Sequence, residues 1–190
     1  SVSYMYDEEV PQAYEQASDG KSNMANAIGN YMDNNHVVYS SPTLELMGAS
    51  INAQLGFSPQ ATDSATSTGD GGAHTYSAAV GKGTEAGITI AYEGLKVGFY
   101  GSERDRTVPQ TAASSGNYEH DEFNGAWYAK YSMGPVSIGY SETYLDAGKS
   151  GTTTTTNTAK TERTHAGIFT GEQMSIAFNV NDNMSISYTT

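Results

Sequence analysis

Cysteine is absent from this 190-residue chain, which excludes disulfide-stapled secreted scaffolds and thiolate metal sites. Leucine is scarce, hydrophobic residues reach only 37% with Ala counted, and mean hydropathy is −0.50. A leucine-rich helical core therefore has little material. Basic residues are few: 9 Lys and Arg stand against 21 Asp and Glu, giving a net charge of −12 and a pI of about 4.5. Phosphate binding needs clustered Lys and Arg, so a nucleic-acid partner is excluded. No N-terminal stretch has the charged-then-apolar order of a signal peptide. No run approaches the roughly 18 apolar residues of a spanning helix. That excludes a membrane helix but not a membrane barrel, whose strands carry only a weak alternating signal.

What is abundant is Gly (21) and Tyr (14), with many Ser and Thr, a mixture that favours short strands joined by turns. In 47–57, Met47, Ala49, Ile51, Ala53, Leu55 and Phe57 alternate with Gly48, Ser50, Asn52, Gln54 and Gly56. Alternate residues of a strand face opposite sides, so one face is apolar and the other small and polar. The pattern recurs with Ala86, Ile88, Ile90 and Tyr92; with Val136, Ile138 and Tyr140; with Met174, Ile176, Phe178 and Val180; and with Met184, Ile186 and Tyr188. It predicts about eight strands, near 36–41, 45–57, 75–92, 96–102, 122–132, 136–144, 164–180 and 184–190.

The connections are sorted by length. Short ones are expected at Ser41-Pro42-Thr43, Glu93-Gly94-Leu95, Gly134-Pro135 and Asn181-Asp182-Asn183, and long ones at 58–74, 102–121 and 146–163. Short and long take turns, which places every tight turn at one end of the sheet. A membrane barrel with short periplasmic turns and long outer loops has this asymmetry; a sandwich has no reason for it. A soluble antiparallel sheet with one wet face also alternates, but its polar face is usually rich in Lys and Glu, whereas here Gly, Ser, Asn, Thr and Ala dominate. Phe57, Tyr76, Tyr92, Tyr100, Tyr128, Tyr131, Tyr140, Tyr144 and Tyr188 gather near strand ends, as interfacial girdles require.

Ser1-Val2-Ser3-Tyr4 reads as the tail of a strand, and 184–190 stops without a terminating signal. Eight or nine strands close only a barrel filled by side chains, and the Gly- and Ser-rich face is too small to fill one. The expectation is an all-β antiparallel transmembrane β-barrel domain of which 1–190 is the middle and later part. Residues 5–35 are too long for a hairpin connection and read as a segment folded into the lumen, with 36–190 supplying the strands.

Three segments also resemble the general Gram-negative porins, particularly those of alphaproteobacterial type. They are Asn34-Asn35-His36-Val37-Val38-Tyr39-Ser40-Ser41-Pro42 with Gly48-Ala49-Ser50; Tyr131-Ser132-Met133-Gly134-Pro135-Val136-Ser137-Ile138-Gly139-Tyr140-Ser141-Glu142; and Ile176-Ala177-Phe178-Asn179-Val180-Asn181-Asp182-Asn183-Met184-Ser185-Ile186-Ser187-Tyr188. They cover about a quarter of the chain. The resemblance implies an outer-membrane barrel of about 16 strands, a homotrimer embedded in lipid and lipopolysaccharide, passing ions and small polar solutes through an inward-bent third loop. By position, 5–35 matches that loop. The family's terminal aromatic residue and its early strands, which carry the basic wall of the constriction, are missing from this sequence.

Asp7, Glu8, Glu9, Glu15, Asp19 and Asp33 are the acids of the expected constriction. Carboxylate rings attract cations and repel anions through their field, so a cation-leaning pore is expected. Their plainer reading is a solvated acidic loop. Lys96, Arg104 and Lys130 are the candidates for facing positive charge, with loop or rim positions as the plainer expectation. His36, His74, His120 and His165 show no ligand spacing and read as surface imidazoles. Asp63, Asp70 and Glu119-His120-Asp121-Glu122 are the oxygen-rich candidates for loop-bound Ca²⁺, but no EF-hand spacing supports it. Gly81 and Gly83 mark a strand kink or bulge. No nucleophile–base pair or phosphate loop emerges, so catalysis is not expected. The rival expectations are a small closed outer-membrane barrel or a surface-layer β protein, with a structural or adhesive role.

Overall fold

The computed structural model describes residues 36–59, 80–106, 120–146, 151–154, 161–165, 168–181 and 183–190. They contain eleven strands: β1 (Val37–Ser40), β2 (Leu44–Leu46), β3 (Ala49–Ser58), β4 (Val80–Tyr92), β5 (Leu95–Arg106), β6 (Glu122–Met133), β7 (Val136–Asp146), β8 (Gly151–Thr154), β9 (Thr161–His165), β10 (Ile168–Asn181) and β11 (Met184–Thr189). Nine of them form one antiparallel sheet in the order β1-β3-β4-β5-β6-β7-β10-β11, with β2 also on β3. β8 and β9 form a separate two-stranded ribbon that lies mostly in 146–163, a stretch expected to be plain loop, and ends at His165. Among the described residues no helix is long and apolar enough to cross a membrane.

The first tight turn is displaced from its expected place. β1 and β2 both pair with β3, in series: Ser40 faces Gln54 and Leu44 faces Ile51. Ser41-Pro42-Thr43 is thus an interruption in one edge strand, three residues opposing two. Proline has no N–H for the ladder and is tolerated there because the strand is at an edge. Ser41 repairs the gap: its N–H donates to the Ala53 carbonyl at 2.8 Å, and its Oγ accepts from the Ala53 N–H at 2.9 Å. The hairpin turn itself is Met47-Gly48, with φ of 53° and 85°. Glu93-Gly94 repeats this geometry at 43° and 85°. Both are type I′ turns, whose twist matches the strands they join.

Three hairpin tips therefore stand at Met47-Gly48, Glu93-Gly94 and Gly134-Pro135, and the fourth lies between the paired Asn181 and Met184, all at one end of the sheet. Longer connections lie at the other, as the alternation of lengths predicts. Register adds a stagger. The first two tips are level, since Ser50 faces Ala91. The third lies two residues further on, since Leu95 faces Tyr131 while β6 continues to Met133. The fourth lies three further again, since Val136 faces Phe178 while β10 continues to Asn181. With the tips in one plane, that advance of one residue per strand inclines the strands by roughly 35°, taking ~3.3 Å per residue and ~4.8 Å between strands. The expected irregularity at Gly81 and Gly83 is present as a register shift between Val80 and Gly83.

The two faces of the sheet are inverted relative to a water-soluble protein. Leu55, Phe57, Ile88, Phe99, Ile138, Met174, Ile176 and Phe178 share the exposed face. On the opposite face Glu85, Ser102, Arg104, Glu122, Asn124, Ser141, Thr143 and Ser175 are buried. On neighbouring strands, Phe99 is 48% exposed while Tyr128 is fully buried.

Candidate functional site

The polar face carries the chemistry. β4, β5 and β6 bring three groups of side chains to it, because Glu85, Ser102 and Asn124 stand level in adjacent strands.

At the end away from the hairpin tips, Glu85 is enclosed. The Tyr100 hydroxyl donates to its Oε2 at 3.1 Å. His36 Nε2 lies 2.7 Å from its Oε1, an ion-pair distance, but off the line of a hydrogen bond. Gly56, the cross-strand partner of Glu85, is the floor of this group; a Cβ there would stand 2.4 Å from Glu85 Oε1 and 2.6 Å from His36 Nε2. His36 is thus no surface imidazole: its side chain is 8% exposed and that of Glu85 is sealed. His120 is exposed, with its Nε2 2.9 Å from Asp146 Oδ2.

Beside this group, Arg104 and Glu122 face each other across β5 and β6, with Nη2 at 3.2 and 3.0 Å from the two carboxylate oxygens. Both side chains are 2% exposed. Removing two charges from water is expensive unless they pair and hydrogen-bond, and this pair does both. β5 continues to Arg106, so Arg104 stands on a strand instead of in the loop expected from residue 102.

Towards the hairpin tips, Lys96 and Lys130 are direct cross-strand partners. Their Nζ atoms lie 5.7 and 5.5 Å from the centre of the Tyr128 ring. Like charges directly opposite destabilise a sheet; a ring face next to both offsets part of that repulsion. Lys96, Arg104 and Lys130 therefore all occupy the polar face. Tyr100 and Tyr128 do too, which removes them from the expected aromatic girdle: even-numbered residues of β5 and β6 point to the polar side. Phe57, Tyr92, Tyr131, Tyr140, Tyr144 and Tyr188 occupy the apolar face as expected, while Tyr76 lies outside the described residues.

Asp7, Glu8, Glu9, Glu15, Asp19 and Asp33 also lie outside the described residues, as do Asp63, Asp70, Glu119 and His74. Among the described residues no three His, Asp or Glu side chains are grouped to hold a metal ion. The arrangement offers fixed charges and hydroxyl and amide groups along one face, suited to water and polar solutes.

Carboxylates also stand on the apolar face, Glu142 and its cross-strand partner Glu172 among them. Glu142 is on the apolar face, where its Oε2 accepts from the Trp127 indole at 2.9 Å and its Oε1 from the Tyr140 hydroxyl at 2.5 Å. The signal for it was present, since Glu142 continues the series Val136, Ile138, Tyr140.

The class defined by fold and faces is an all-β protein with a single large antiparallel sheet, polar on its buried side and apolar on its exposed side. No protein-family model, curated protein or solved structure matches the chain.

Proposed function

We propose that the chain forms part of the wall of an outer-membrane porin, a water-filled β-barrel through which ions and small hydrophilic solutes diffuse passively. The observation that carries this reading is the inversion of the two faces. Water-soluble proteins rarely expose contiguous apolar patches beyond a few hundred Å², yet here apolar side chains dominate one face of β3, β4, β5, β6, β7, β10 and β11. Lipid is the solvent that suits them. The buried charges and hydroxyls of the other face suit a lumen. The stagger of the hairpin tips agrees with tilted strands: if the tips share one plane, an inclination of roughly 35° follows, in the range of membrane barrels. The sorting of turns and loops agrees with short periplasmic and long outer connections.

The reading requires closure. β1 and β11 are edges of the described sheet, and each unpaired backbone group in hydrocarbon costs several kcal/mol. Further strands complete the wall, and the porin resemblance makes the assembly a trimer. The chain's overall charge of −12 favours cations near the pore, with Asp7, Glu8, Glu9, Glu15, Asp19 and Asp33 as the constriction acids. Solute passage involves no bond-making step, so the reading calls for no catalytic group.

The test is a planar lipid bilayer with a salt gradient across it and the full-length protein added. Ohmic steps in groups of three with a cation-leaning reversal potential are expected. No conductance from protein shown to be folded and inserted would overturn the pore and leave a structural wall or surface protein in its place.

A further inference from the structure

The apolar face is not uniform. Along it, β6 alternates large and small residues: Phe123, Gly125, Trp127, Ala129, Tyr131. The small ones open two depressions. Ala129, Leu95, Ile138, Met174 and Ile176 line a groove of about 520 Å³ with nearly wholly apolar walls. Gly125, Phe99, Tyr144 and Thr170 line a second of about 450 Å³ and mixed polarity. Four residues separate Ala129 from Gly125, a span of about 13 Å along the strand, and Trp127 stands between them.

Two carboxylates stand beside that divide. Glu142 is the cross-strand partner of both Trp127 and Glu172, and both acids line the second depression. The Trp127 and Tyr140 donors hold Glu142 in place, while Glu172 is exposed directly opposite. Two like charges in that relation repel, and a hydrocarbon surround strengthens the repulsion. Lys82 and His120, the described basic side chains near the same face, lie against Asp105 and Asp146 instead. Among the described residues, no basic side chain on this face is left to match the two acids.

We propose that the two depressions form one binding site for a membrane lipid with a primary ammonium headgroup. Its acyl chain lies in the Ala129 groove, and its ammonium meets Glu142 and Glu172. The site rests on the reading of this face as lipid-facing. Apolar walls and a volume of small-ligand size suit the chain. The acid pair selects the head, because a primary ammonium brings charge and three N–H donors together. A glycerol headgroup brings no positive charge, and a quaternary ammonium brings no donor.

The test uses full-length protein inserted into vesicles of phosphatidylethanolamine, phosphatidylcholine and phosphatidylglycerol with matched acyl chains. Native mass spectrometry then identifies the lipids that remain bound on release. Retention of the ethanolamine lipid over the glycerol lipid by about tenfold is expected, the factor one charge-assisted hydrogen bond supplies. In E142Q/E172Q the preference should fall to parity, with folding checked by the heat-dependent gel mobility of the barrel. A129F should retain fewer lipids of every headgroup. Equal retention by the unmodified protein, a preference that survives E142Q/E172Q, or full lipid retention by A129F would each overturn the site. So would a preference for the glycerol lipid that appears with Ca²⁺ and vanishes with chelator, the sign of a metal-bridged phosphate. Protein that inserts and conducts without headgroup preference would refute only this site; protein that never enters vesicles would refute the porin reading as well.

Discussion

The Tyr128 ring approaches Gly98, its cross-strand partner on β5, so closely that a Cβ on Gly98 would stand 2.3 Å from Cε1 and 2.7 Å from Cζ. Glycine in a strand interior weakens it and is retained where another group approaches closely; here that group is an aromatic ring covering the bare backbone. Gly98→Ala should therefore destabilise the protein by about 1–3 kcal/mol, the range for overpacking. Tyr128→Ala alone should also destabilise, by opening a cavity. The double substitution should cost less than the sum, because the second change removes the clash made by the first. Urea titrations of the protein folded in lipid vesicles measure all three. Additive losses would show that ring and glycine do not act as a unit.

Arg104 and Glu122 support a second expectation. Each is 2% exposed, and each is the other's cross-strand partner. Glu122→Gln leaves a buried guanidinium facing a neutral amide, so a loss of about 3–5 kcal/mol is expected. Replacing both residues, as R104M/E122L, should be milder than either single change, because no buried charge is then left unmatched. A double variant worse than both singles would mean that the pair contributes net stability beyond its mutual neutralisation.

The fold was legible wherever one face is consistently apolar. Residues 49–57, 86–92, 136–140 and 174–180 stand in the structure with the faces their alternation assigns. Alternation hides the first hairpin, because it continues through Met47-Gly48, a turn made without proline, while Pro42 advertises a turn where there is only a bulge. The end of β5 is hidden in the sequence, because Glu103-Arg104-Asp105 looks like loop to a hydropathy scale. Its charges are accommodated in a strand by cross-strand partners, Arg104 by Glu122 and Asp105 by Lys82 at 3.9 Å. The pairing of His36 with Glu85 needed the β3–β4 register, which no single segment discloses. The acids at 7–33 lie outside the described residues, so that part of the candidate site rests on the sequence and its resemblance.

Ser41 should matter more than an edge-strand serine ordinarily does. Its Oγ takes the place of a ladder carbonyl for the Ala53 N–H, and its own carbonyl accepts from Asn52 Nδ2 at 3.0 Å. Ser41→Ala leaves a backbone donor without its acceptor, at a cost of about 1 kcal/mol or more. Amide hydrogen exchange should quicken at Ala53 and its neighbours while β6 and β7 stay unchanged. Unaltered exchange at Ala53 would mean that water satisfies the donor equally well.

Lys96 and Lys130 give the porin reading a test on the described strands. Both stand on the polar face near the hairpin tips, where the proposed lumen opens towards the periplasm. Reversing both charges, as K96E/K130E, should move the reversal potential further towards cations. The shift should be larger at 0.1 M salt, where the screening length is about 10 Å, than at 1 M, where it is about 3 Å. Reversal potentials that stay put at both salt concentrations would place these two residues off the ion path.

The chain has a single tryptophan, and it stands on the apolar face, half-buried, with its ring centre 5.4 Å from that of Tyr140. Trp127 therefore reports which solvent that face meets. If the face lies in lipid, brominated acyl chains should strongly quench its emission, and acrylamide added to the water should quench it only weakly. Bromines placed at several depths along the chain would locate the indole, which as an amphipathic ring favours the interfacial part of the bilayer. Trp127→Phe supplies the blank and removes the indole donor to Glu142, leaving the Tyr140 hydroxyl as its remaining described donor. Strong acrylamide quenching with no effect of bromine would put water against the apolar face. The lipid-facing reading would then fail, and both the pore and the lipid site would be lost.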